Sequence, residues 1–518
     1  MKKNYILLSL CLIFSNLVIS QNTIDIKANF DVSTKSIHIY QTIKYLNTSN
    51  KVLDTIYLND WSNSYSSKTT PLATRFAEEF KNTFHFAKDE DRGFTLISSI
   101  KDENQELYHS RLKQHPDVIK VVLSKPLQPG NTYNITLNYT VQVQNDKFTR
   151  YGISDDNNFM LRYWYITPAI FNGKWQYYSN KDLNDAYIPK AEITIEANYD
   201  AAYTLISELN EIKSEENQGR KITTIHGKDR INTKFTLKQN NDFNTVETDY
   251  FAIQSNIDTE NLPSTDVAII TDRVTKYITE NIGEYPHEKL LLTWIDYKKE
   301  PIYGLNLLPD FIRPFQDTFQ YEMKILKTAL RNYLENVVLI NPREDQWVID
   351  GIQTYFLIKY VEDNYPNIKL TGTLGNIWGI RAFHAADLKF NDQYNLAYLH
   401  MARTNLDQPL TMAKDSLLKY NKNIGNKYKA GSGLRYLNSY NNSKVTENAV
   451  KQFIADKKLK TTTGIDFYNY LKNNSIKNID WFYNDFLNSN TKIDYRIKDI
   501  DKKGDSLVVT ILNKKENN

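Results

Sequence analysis

The apolar residues of this chain change their period near residue 255, and that change limits the folds open to it. Up to about residue 255 they recur at every second position. Tyr133, Ile135, Leu137, Tyr139, Val141 and Val143 alternate without a break after the Pro129-Gly130 turn, the pattern of a strand buried on one face. Ile24 to Tyr45 and Ala191 to Ala197 carry similar β patterning. Farther on the spacing turns helical. Val267 to Ile282 predicts a helix, and Leu290 to Trp294 a short apolar strand. Phe319, Met323, Leu326, Leu330, Tyr333 and Val337 then recur at spacings of 4, 3, 4, 3 and 4, an apolar helical stripe. Lys324, Lys327, Thr328, Arg331 and Glu335 share the opposite face. Asn341-Pro342-Arg343-Glu344 reads as an N-cap, a first-turn proline and a third-position glutamate, so a second helix is expected there, ending before Pro366.

With 518 residues the chain is expected to hold two or three domains. A net charge of +3 with 24% charged residues gives no electrostatic case for nucleic acid. Met1 to Ser20 reads as a secretory signal: Lys2 and Lys3 supply its positive start, Ile6 to Ile19 its apolar run, and Val18-Ile19-Ser20 a cleavage site before Gln21. Cys11, within that run, is the only cysteine, so disulfides, thiolate metal sites and cysteine nucleophiles are all excluded from the mature chain. No later stretch is apolar for long enough to span a bilayer. The expected location is the periplasm or outer membrane of a bacterium.

Trp347-Val-Ile-Asp350-Gly351-Ile-Gln-Thr354-Tyr355-Phe356 resembles the W-L-N-E-G-F-A-x-Y-F segment of the gluzincin aminopeptidases, the aminopeptidase N family of zinc metallopeptidases. In that family the Glu of this segment is the third zinc ligand, nineteen positions after the second His of H-E-x-x-H. Counting back, 350 − 19 = 331, so Lys327-Thr328-Ala329-Leu330-Arg331 stands where that motif belongs. The motif works because two His at i and i+4 bind zinc while the Glu activates a water. Arginine and protonated lysine offer a metal no lone pair. A second family motif, G-x-M-E-N, is similar to the segment from Gly304, with Leu307 in place of the amine-binding Glu and Leu308 in place of the Asn. Tyr428 matches the family tyrosine that steadies the oxyanion, and a packed structural role is its bland alternative. His287-Glu288 begins like H-E-x-x-H, but Leu291 fills i+4, so the pair reads as surface. His384 and His400 are metal candidates by residue type alone.

The resemblance implies an α+β multidomain fold: a signal at 1–20, an N-terminal β-saddle at 21–255, a thermolysin-like domain at 256–366, a helical domain at 367–490, and a β segment at 491–518 that could open a truncated domain. The aromatics of Leu161 to Pro168 and Trp175 to Ser179 are expected to pack in the β-domain or to face a peptide. Lys327 and Arg331 lie four apart, and one or both are expected to pair with Asp350, an ion pair in place of zinc. The alternative is an ordinary Arg331–Glu335 contact on a solvated face. Three functions follow: a zinc-free, inactive peptidase homologue that binds peptide or protein, an envelope scaffold or assembly component, and, last, an active zinc aminopeptidase.

Overall fold

The computed structural model describes residues 21–231, 233–306, 314–381, 384–492 and 495–513. The chain forms two compact units: residues 1–182 with 186–240, and residues 183–185 with 241–518. Residues 1–20, where a secretory signal is expected, and the pair Leu307–Leu308 lie outside the described residues.

The first unit is built of strands. Its seven-stranded sheet runs in the order Asn210–Asn217, Arg220–Arg230, Ala191–Asp200, Asn22–Asp31, Ser36–Leu46, Thr132–Gln142 and Phe94–Lys101. The pairing of Asn22–Asp31 with Ala191–Asp200 is parallel, with Ile26 opposite Ile195. The other pairings in this sheet are antiparallel. Alternation explains the core directly: Ile24, Ile26, Ala28 and Phe30 are buried while the residues between them face outward. Phe30 stacks on Phe235 at 5.0 Å and meets Phe159 and Trp164 at 5.6 Å. Trp164 and Tyr165 are buried in this cluster's core, while Tyr163 between Leu161 and Pro168 is half-buried.

In the second unit the strands Asn244–Val246, Ala252–Ser255 and Lys289–Leu292 form one small sheet. Ala252–Ser255 and Lys289–Leu292 are parallel, joined through a helix, α1 (Ser264–Asn281). These pairings pull residues 241–255 into the second unit, so the division falls near 240 and not at 255. The longer helices that follow are α2 (Asp317–Val337), α3 (Gln346–Asn364), α4 (Asp392–Arg403), α5 (Asn426–Asn441), α6 (Val445–Lys457) and α7 (Gly464–Asn473). One hydrophobic core runs from Phe251 to Leu487 through most of them.

Two local expectations shift. The α3 helix starts at Gln346, because Arg343 is drawn aside to Asp185 (3.1 Å) and Asp415 (3.7 Å), and Asn341 to Glu344 forms a turn instead. Lys324 and Thr328, placed by spacing on a solvated face of α2, are buried. The segment after 491 forms a hairpin, Tyr495–Lys503 with Ser506–Asn513, turned at Gly504 (φ 63°). Among the described residues no helix is long and apolar enough to cross a membrane.

Candidate functional site

The site lies where α2, α3 and α5 meet. Lys327, Arg331 and Glu335 follow one another at intervals of four on α2, which lines them along one face. Gln346 and Asp350 do the same on the first turns of α3. Close helix packing brings the rest in. A Cβ on Gly431 of α5 would meet the Thr354 Cβ at 2.4 Å, and one on Gly351 of α3 would meet Leu434 at 3.2 Å. Glycine at both places lets the two helices approach, and the start of α5 then carries Lys427 to Asp350.

A charge network fills this junction. Arg331 Nη1 donates to Asp350 Oδ1 at 2.6 Å, and its Nε donates to Glu335 Oε1 at 2.5 Å. The two pairings anticipated as alternatives are made together, and the side chains of Arg331 and Asp350 are only 12% and 7% exposed. Gln346 Nε2 adds a second donor to Asp350 Oδ1 at 3.0 Å. Lys427 Nζ lies 2.5 Å from Glu300 Oε2 and 4.0 Å from Asp350 Oδ1. Lys327 is half-buried at the centre. Burial, then its neighbours Lys427 and Arg331, bring its amine down to about 8, against the pull of Glu300 and Asp350. Glu300 moves the other way: burial would raise it, but Lys427 first, then Arg331 and Lys327, hold it well below the usual carboxylate range. Burial would likewise lower Arg331, yet Glu300, Glu335 and Asp350 raise it.

The other anticipated positions sit apart from this network. Thr328, at the place of a general base, donates its hydroxyl to the Lys324 carbonyl of its own helix at 2.8 Å. Gly304 lies in a short 3-10 turn, Tyr303–Asn306, and donates its N–H to Gln393 Oε1 at 2.7 Å. Its backbone is therefore no free strand edge. Tyr428 is buried edge-on against Tyr394 at 4.7 Å, and burial raises its phenol despite a hydrogen bond from the Tyr303 backbone. His287 is half-buried against Tyr285, beside an exposed Glu288, in the loop before Lys289–Leu292. His400 is exposed on α4.

Glu300, Gln346 and Lys427 escape a reading by motif. Glu300 is the acidic residue nearest before Gly304, and Lys427 immediately precedes Tyr428; in both cases the signal was proximity to a residue already singled out.

No family model matches the sequence, and no curated protein does. Solved structures do. A point mutant of the M1 zinc metallopeptidase from Deinococcus radiodurans superposes with a TM-score of 0.57, covering 91% of this chain and 94% of that one. The unmutated enzyme gives 0.55 over the same shares, and the mutant bound to a Tyr-Ser-Ala substrate gives 0.56. The fold is that of the M1 zinc metallopeptidases. Identity is 10% in each case, so the likeness is one of fold. The residues present do not fit the zinc of those M1 enzymes. A zinc site needs three protein ligands. Asp350 is committed to Arg331 and Gln346, the lysine and arginine offer cations, and among the described residues no group of three or more His, Cys, Asp or Glu could hold a metal.

Proposed function

We propose that this chain is an exported, zinc-free relative of the M1 peptidases that binds a peptide or protein without cleaving it. The observation that carries this reading is the 2.6 Å Arg331–Asp350 pair. By the motif resemblance, Arg331 stands at the place of the second zinc-binding His and Asp350 at that of the zinc-binding Glu. A guanidinium bonded to a carboxylate there supplies the helix cross-link that a metal would give, and it activates no water. Thr328 has no carboxylate to serve as general base. The α+β frame that positions the site is retained.

A second reading has its own support. Arg331, Glu335, Asp350, Lys427 and Glu300 all find partners within the network, as expected of an envelope scaffold whose site only fastens helices. Lys327 weighs toward the binder, because its amine is left over.

Zinc content by plasma mass spectrometry on the purified mature protein, with a fluorogenic aminoacyl substrate assayed beside it, tests the proposal. The expected outcome is substoichiometric zinc and no turnover. Near-stoichiometric zinc with chelator-sensitive turnover would overturn it.

A further inference from the structure

The three cations of the site are unequally satisfied. Arg331 holds two carboxylates, Glu335 and Asp350, and Lys427 holds Glu300. Among the described residues Lys327 Nζ has neither a hydrogen-bond nor an ion-pair partner, although its own carbonyl accepts from Gln353 at 2.9 Å. Three cations meet three carboxylates here, and among the described residues Lys327 is the one of the six groups with no direct partner. An ammonium carries three donors and is costly to hold half-buried with none of them met.

We propose that Lys327 is the receptor for a ligand carboxylate, so that this site takes a peptide by a chain-terminal or side-chain acid. The inference rests on the peptide-binding reading above and gives it a polarity. An incoming ammonium would be repelled by Lys327, whose amine no carboxylate holds directly. A ligand carboxylate would instead meet the three open donors of Lys327, while Glu300, Glu335 and Asp350 stay bonded to Lys427 and Arg331. Desolvation strengthens such a pair relative to one in open water. The lowered basicity of Lys327 has the same origin, an amine crowded by burial and two cations.

Four pools of fluorescein-labelled hexapeptides test this on the full mature chain by anisotropy at pH 7. The pools have a free-acid or amidated C-terminus, each with Asp and Glu either present or replaced by Asn and Gln. Pools bearing a carboxylate are expected to bind at least tenfold tighter than the pool with none. Lys327→Met should abolish that difference and Lys327→Arg should keep it, with thermal melting showing both variants folded. Preference for the free-acid pools alone identifies the chain terminus as the source, and for the Asp/Glu pools alone the side chain. Equal binding of all four pools, or a preference that survives Lys327→Met, overturns the carboxylate receptor and leaves peptide binding standing. Binding of no pool overturns both.

Discussion

Asp350 is the residue on which the site's integrity turns. Removing its carboxylate leaves Arg331 half-answered in a position only 12% exposed. Breaking a buried pair in this way costs about 3–5 kcal/mol. Asp350→Ala is therefore expected to melt well below wild type, and an unchanged melting point would reduce the pair to an exposed contact. Lys327 points the opposite way. Its folded amine, brought down to about 8, holds its proton less tightly than the unfolded chain does, so its cost is greatest below that pH and fades as pH climbs from about 8 toward 10.5. Lys327→Met should gain about 1–3 kcal/mol at pH 7 by shedding that cost. Urea titrations at pH 7 and 9.5 should show the gain shrinking. Asp117, in the first unit, offers a separate titration. Burial pushes its carboxyl up to about 6, against the bonds from Asn180 and Ser179. The folded state then holds the proton more tightly than the unfolded chain, so the full benefit lies below about pH 4 and is lost as pH rises through 6. The loss amounts to roughly 3 kcal/mol at neutral pH. Asp117→Asn, which keeps an acceptor for the Asn180 N–H, should exceed wild type in stability at pH 7.5 and lose that advantage at pH 4.5.

Between helices, the contact that matters is the approach of α3 to α5. Gly431 leaves no room for a methyl against Thr354. Gly431→Ala is expected to cost about 1–3 kcal/mol by forcing the helices apart, and to loosen the Lys427–Asp350 approach with them. A chemical denaturation curve showing no loss would mean that α5 can shift freely. The elements themselves were largely written in the periodicity. The α2 stripe runs from Phe319 to Val337 within a helix bounded at Asp317 and Val337, and Tyr133 to Val141 lies in the strand Thr132–Gln142. The miss at the start of α3 has a plain cause: local capping chemistry favours a helix at Pro342, but Arg343 gains more from two distant carboxylates.

At the scale of the whole molecule, two hydrophobic cores account for two compact units. The hairpin at 495–513 belongs to neither core. Ile497, Ile500, Leu507, Val509 and Ile511 are each more than 40% exposed on it, and a two-stranded sheet alone is marginally stable. Truncation after Asn488 is accordingly expected to leave the thermal midpoint of the rest unchanged, as calorimetry would show. A drop of several degrees would mean that the hairpin braces one of the units.

Sequence alone determined the kinds of element, their order, and that residues 327 and 331 are a lysine and an arginine, side chains that offer a metal no lone pair when charged, because period and side-chain chemistry are local properties of residues. It also brought Arg331 and Asp350 under suspicion as a pair, through their spacing in a resembling motif. Only the tertiary structure decided which charges answer which. Glu300 and Lys427 are far apart along the chain and carry no motif of their own; Lys427 reaches the site through the close packing of α3 against α5, and Glu300 from the end of the short helix Trp294–Lys299. Among the described residues Lys327 is left without a direct partner, which no stretch of sequence contains.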